Sequence, residues 1–174
     1  MGRLAVKEIG EIEDAEVLAI LERAERQSAP KPAWYLVLAH SPEMAKAYAA
    51  YWDTTHRGGA VEHKTKELMR ILVADLLDCA FCSQQRSTQA LAEGLKEEEI
   101  QACTLPQMYH PDPRVRAALA LARAMVQDAP PQECDRVYEE LKQHYTPGEI
   151  VELGCFAAIA IGGVKLSRTL SVEH

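Results

Sequence analysis

Cys79-Ala80-Phe81-Cys82 sets two thiols three positions apart, where one apolar helical stretch ends and another begins. Thiols so placed at a helix start ionise readily and can pair with each other, as dithiol–disulfide chemistry requires. The thiolate is the nucleophile, and its neighbour can close a disulfide once the first sulfur has been oxidised. Asp78 reads as the N-cap, with Cys79 at the first helical position and Cys82 one turn on. If the flanking helices fold back at Leu77-Asp78, Glu67 falls opposite Arg86, and His63 shares the Glu67 helix face. The candidate site is therefore Cys79, Cys82, Glu67, Arg86 and His63: a redox pair, a cation, and a carboxylate with an imidazole for moving protons. Two blander arrangements use the same residues. Buried helix cysteines can act as small apolar side chains, or His63 and Glu67 can complete a zinc site, though there is no second Cys-x2-Cys.

These residues are positioned by segments that nearly all read as helix. Apolar residues recur at helical spacing over 13–27, before Pro30 and Pro32 break the chain. Ser41-Pro42-Glu43 is a helix entry, with the helix running to about Arg57 and stopping at Gly58-Gly59. A helix follows over 62–77, apolar on most of its circumference and so central, and another over 79–93, ended by Gly94. A short acidic helix spans 96–103, and 104–111 is a loop. Asp112-Pro113 opens a helix to about Gln127, and Pro130-Pro131 turns into one ending near Tyr145. Thr146 and Glu149 stand at capping-box spacing before a last helix towards Leu170, interrupted or closely packed at Gly162-Gly163. No alternating strand pattern is present. The expected fold is all-α, a single-domain helical bundle. Trp34, Tyr35, Tyr48, Tyr51 and Trp52 form a core stripe, a pocket wall or an oligomer interface.

Composition bounds the function classes. The chain has 174 residues, 48% hydrophobic and 26% charged, with net charge −7 and no basic block. Nucleic acid and anionic membrane are poor partners for such a surface. There is no apolar run of the ~18 residues a membrane span needs, and the N-terminus lacks a signal peptide's apolar region. Five cysteines, three of them isolated, suit a reducing cytoplasm better than a secreted disulfide framework.

The spacing Glu67-x11-Cys79-x2-Cys82, followed by an alanine-rich helix ending at Gly94-Leu95, resembles the carboxymuconolactone decarboxylase/alkylhydroperoxidase D family. Leu38-Ala39-His40-Ser41-Pro42-Glu43, Gly59-Ala60-Val61 and Thr146-Pro147-Gly148-Glu149-Ile150-Val151-Glu152-Leu153 are similar to its peroxidase-related members. Matching segments span about 30–170, implying one domain over 1–174, with 1–30 an N-terminal helical extension and 31–174 the alkylhydroperoxidase D-like region. The resemblance implies a homo-oligomer, trimer or hexamer, that reduces a hydroperoxide without cofactor or metal and is regenerated by an external dithiol reductant. It makes Cys79 and Cys82 the redox pair and Glu67 the relay carboxylate. The family's histidine, four positions after the second cysteine, is replaced by Arg86. Arginine does not deprotonate in proteins, so Arg86 can lower a thiol pKa or lock Glu67 in an ion pair but cannot be the base. His63 is the available imidazole. Two alternatives remain: a cofactor-free decarboxylase or isomerase using Glu67 or His63, and a non-catalytic redox-sensing oligomer.

Overall fold

Proline punctuates the chain in the computed structural model, which describes residues 3–104, 106 and 109–172. The helices are α1 (Ala15–Gln27), α2 (Pro32–Leu38), α3 (Pro42–Trp52), α4 (His63–Leu76), α5 (Ala80–Ser83), α6 (Thr88–Ala92), α7 (Glu97–Cys103), α8 (Pro113–Val126), α9 (Pro131–His144) and α10 (Pro147–Leu170). Five of them, α2, α3, α8, α9 and α10, open on proline, whose missing N–H would have no helical partner there. The capping box at α10 forms: Thr146 Oγ1 accepts from the Glu149 N–H at 3.3 Å, and Glu149 accepts from the Thr146 N–H at 2.8 Å. The fold is an all-α bundle.

Helix α4 is the axis. Eleven of its residues are buried, including Lys66, Glu67 and Arg70 as well as its apolar side chains. It packs against α8, α10 and the short helices α5, α6 and α7. A second apolar cluster joins α1, α2 and α3, and Tyr48 touches both clusters. Helix α10 is the other long core wall, lying on α4, α8 and α9. An 18-residue window of it reaches a mean hydropathy of 1.7, so by length and composition alone it is apolar enough to cross a membrane. The expectation that no segment passes that test is corrected here, because the apolar stretch continues past Glu152 and Lys165.

Three local expectations also change. Helix α3 does not run regularly to Arg57 but widens after Trp52 into a π turn, Asp53–Arg57, a distortion frequent at functional sites. The single helix expected over 79–93 is two, α5 and α6, separated by Gln84 to Ser87. Asp78 is no N-cap: it has φ +53°, and Cys79 itself caps α5. Within the expected loop over 104–111, residues 105, 107 and 108 lie outside the described set, as do 1, 2, 173 and 174.

Candidate functional site

Helix α4 presents a carboxylate to the interior with every acceptor direction filled. Glu67 is fully buried and accepts two hydrogen bonds from Arg70, Nε and Nη2, each at 2.9 Å. His56 Nε2 donates to it at 3.1 Å and the Ser87 N–H at 2.8 Å. Burial alone would raise the Glu67 pKa, but the Arg70 charge and the bonds from His56 and Arg70 hold it below the ordinary carboxylate value. Glu67 is thus a permanent anion in a dry interior. Desolvation pushes His56 down to about 3 against the opposing pull of Glu67, so its imidazole is neutral and donates through Nε2. The π turn delivers this histidine between Trp52 and Phe156, stacked on Phe156 at 5.0 Å between centroids.

His63, in the first turn of α4, bridges two segments. Its Nδ1–H donates to the His56 carbonyl at 2.8 Å, which leaves Nε2 to accept from the Ser87 hydroxyl at 2.7 Å. Burial lowers its pKa too.

Arg70 connects this network to the cysteines. Its Nη1 donates to the Cys82 carbonyl and its Nη2 to the Gln85 carbonyl, both at 2.6 Å. Those carbonyls would otherwise continue a helix from Cys82 towards Gln89. Charged donors outcompete backbone amides for them, and the Ser87 N–H is drawn to Glu67. The break between α5 and α6 therefore follows from the Glu67–Arg70 pair.

Cys79 and Cys82 are joined by a disulfide across α5, with Cα atoms 5.3 Å apart. The Cys82 N–H donates to Cys79 Sγ at 3.3 Å. The two sulfurs differ in access: Cys79 is 1% exposed and Cys82 8%. Cys82, and not Cys79, lines a cavity of about 40 Å³ together with Trp34, Tyr48, Trp52, Arg70, Phe81 and Val164.

The structure brings four of the sequence-derived candidates, Cys79, Cys82, Glu67 and His63, into one neighbourhood, and turns the fifth away. Arg86 does not meet Glu67; it donates to Glu97 on α7 at 2.7 Å and to the Ser83 and Gln85 carbonyls. The fold-back at Leu77-Asp78 was drawn with two continuous helices, and the break after α5 rotates Arg86 outward. The cation beside Glu67 is Arg70, three residues along the same helix. Sequence reasoning also missed His56 and Ser87, whereas Trp34, Tyr48 and Trp52 take the pocket-wall place it had left open. An i, i+3 Glu–Arg pair inside an apolar run was the available signal for Arg70; the π turn that buries His56 has none. Among the described residues, no group of three or more His, Cys, Asp or Glu side chains could hold a metal ion.

Comparison with known proteins agrees with this architecture. Residues 42–124 match the carboxymuconolactone decarboxylase family. The alkylhydroperoxidase AhpD core of an uncharacterised peroxidase-related protein from Ralstonia eutropha JMP134 superposes with a TM-score of 0.79 at 16% identity, covering 99% of this chain and 91% of that one. A protein of unknown function from Agrobacterium tumefaciens, with a suggested AhpD-type antioxidant defence role, gives 0.67 at 22% identity over 78% of this chain and 92% of that one. The debrominase Bmp8 gives 0.76 at 15% identity over 95% and 89%. No curated protein matches the sequence significantly. Residues 42–124 are thus similar to the carboxymuconolactone decarboxylase family, and the chain shares the fold of the AhpD-like structures.

Proposed function

We propose that the protein is a thiol-dependent oxidoreductase that reduces hydroperoxides through Cys79 and Cys82. The observation that carries this is the asymmetry of the pair, with Cys82 opening to an apolar cavity and Cys79 sealed behind it. In the reduced protein the Cys82 thiolate attacks the peroxide oxygen. The O–O bond breaks, an alcohol leaves with one proton, and Cys82 becomes a sulfenic acid. Cys79 then attacks that sulfur, water leaves, and the disulfide forms. An external dithiol restores both thiols, its own sulfurs taking up the oxidation. The Cys82 amide that faces Cys79 Sγ favours the thiolate there, so Cys79 is the better leaving group when a reductant attacks Cys82, the more accessible of the two.

In this scheme Glu67 and Arg70 are positioning residues. They fix the backbone of the cysteine turn, while His56 and His63 complete their shell. Among the described residues neither imidazole hydrogen-bonds a cysteine sulfur, so no direct imidazole-to-thiol relay is invoked. A decarboxylase or isomerase using Glu67 or His63 as base is less well supported, because both side chains are buried, neither lines the cavity, and the Glu67 acceptors are occupied. A cytoplasmic setting with a dithiol reductant and a homo-oligomeric state belong to the same proposal. Turnover of an organic hydroperoxide with dithiothreitol tests it, comparing wild type with Cys82→Ser and Cys79→Ser. Both variants are expected to lose dithiol-linked turnover; equal rates in all three contradict the scheme. Disulfide formation without turnover would identify a redox sensor instead.

A further inference from the structure

The wall of the cavity beside Cys82 is helical except at two residues, Pro30 and Gln85. They belong to the short connections α1–α2 and α5–α6, and these connections meet: the Lys31 N–H donates to Gln85 Oε1 at 3.1 Å. Gln85 is 4% exposed, and its Nε2 donates to the Phe81 carbonyl at 3.2 Å. One buried side chain thus ties the segment before α2 to the cysteine turn. A second tie comes from the π turn, where Arg57 Nη2 donates to the Ala29 carbonyl at 2.5 Å. The two irregularities of the helical frame, the π turn and the α5–α6 break, each send one side chain to residues 29–31. Pro30 lines the cavity while Lys31 beside it is exposed, its Nζ 5.8 Å from the centre of the Phe81 ring. This strap therefore stands between the cavity and solvent.

Some part of this wall must move. Thiol–disulfide exchange needs contact between sulfurs, yet Cys82 is only 8% exposed in the disulfide. Helices packed in a core open at a high free energy, and short connections held by a few hydrogen bonds at a low one. We infer that residues 29–31 form a gate over Cys82, latched by Gln85 and Arg57, whose release admits the dithiol reductant to the disulfide. This rests on the thiol scheme above and adds its regulation: the latch, rather than the chemistry of the sulfurs, sets the rate at which the pair is reached.

Gln85→Leu keeps the bulk of the side chain and removes both of its bonds. Lys31→Pro removes the N–H that the latch uses; Lys31 has φ −66°, which proline adopts, so this variant serves if the first fails to fold. In each, iodoacetamide is expected to alkylate reduced Cys82, read by peptide mass, about three- to tenfold faster than in wild type. Dithiothreitol is expected to reduce the disulfide faster by the same factor. Both rates should stay flat in low urea, as local opening requires. Rates that climb steeply with urea would assign the exposure to global unfolding and overturn the gate, as would wild-type rates in both folded variants. Faster alkylation in the variants, with no hydroperoxide consumed by wild type, would overturn the peroxidase scheme and leave the gate standing over a redox pair.

Discussion

Glu67 carries its charge without water, because Arg70, His56 and the Ser87 amide together replace the hydration shell. Replacing Arg70 by Met leaves that carboxylate buried and uncompensated. A loss of about 3–5 kcal/mol in unfolding free energy is expected, read from the denaturant midpoint. Arg86→His is expected to change peroxide turnover by no more than about twofold, since the side chain faces Glu97 and an exposed pair of this kind is worth little. A large gain would show that an imidazole there reaches the thiols after all. The buried histidine gives a pH signature with a definite sign. His56 titrates near 6.5 unfolded and about 3 folded, so between those values the unfolded chain holds a proton that the folded chain does not. Stability is fully present above about pH 6.5 and falls as pH drops, by on the order of 1 kcal/mol per pH unit. His63 is shifted in the same direction, and Glu67 extends the loss below its ordinary value of 4.5. Denaturant midpoints from neutral to acid pH should decline over this window, and more shallowly in His56→Phe.

The elements around the site are held by competition for backbone groups. Lys66, fully buried on α4, donates to the Gly58 carbonyl at 2.5 Å and to Glu152 of α10 at 2.7 Å. Glu152 also accepts from the Ala60 and Val61 amides, which locks the turn leading into α4. Gly59 sits there with φ +88°, and a Cβ would lie 2.3 Å from the Glu152 carboxylate. Glu152→Ala, which strands the buried ammonium, is expected to destabilise by about 3–5 kcal/mol; a midpoint unchanged within error would show that the turn does not need the pair. The helical periods, proline starts and the capping box at α10 were legible in the sequence because each is set by neighbours in the chain. The split between α5 and α6 was not. It depends on Arg70 taking carbonyls from residues 12 and 15 positions away, a tertiary contact that overrides the local helical preference of 79–93. The π turn is hidden for the same reason.

Across the whole molecule, the long helices α4, α8 and α10 make a core in which one short disulfide-bearing turn is suspended. The all-α class was legible because helical periods and caps are set locally, and the family resemblance because Glu67-x11-Cys79-x2-Cys82 is a local spacing. The pocket wall was only one of three readings of Trp34, Tyr48 and Trp52, because the cavity joins residues from α2, α3, α4, α5 and α10 that only folding brings together. What unites these levels is the unequal exposure of two sulfurs that otherwise sit in one turn. Reduced protein mixed with one equivalent of tert-butyl hydroperoxide tests it, with thiols counted and products identified by mass. Wild type should lose two thiols, form the Cys79–Cys82 disulfide and release one equivalent of tert-butyl alcohol. Cys79→Ser should stop with a sulfenic acid on Cys82, and Cys82→Ser should release no alcohol above background. Alcohol formed as fast by Cys82→Ser as by wild type would contradict the central role given to that sulfur.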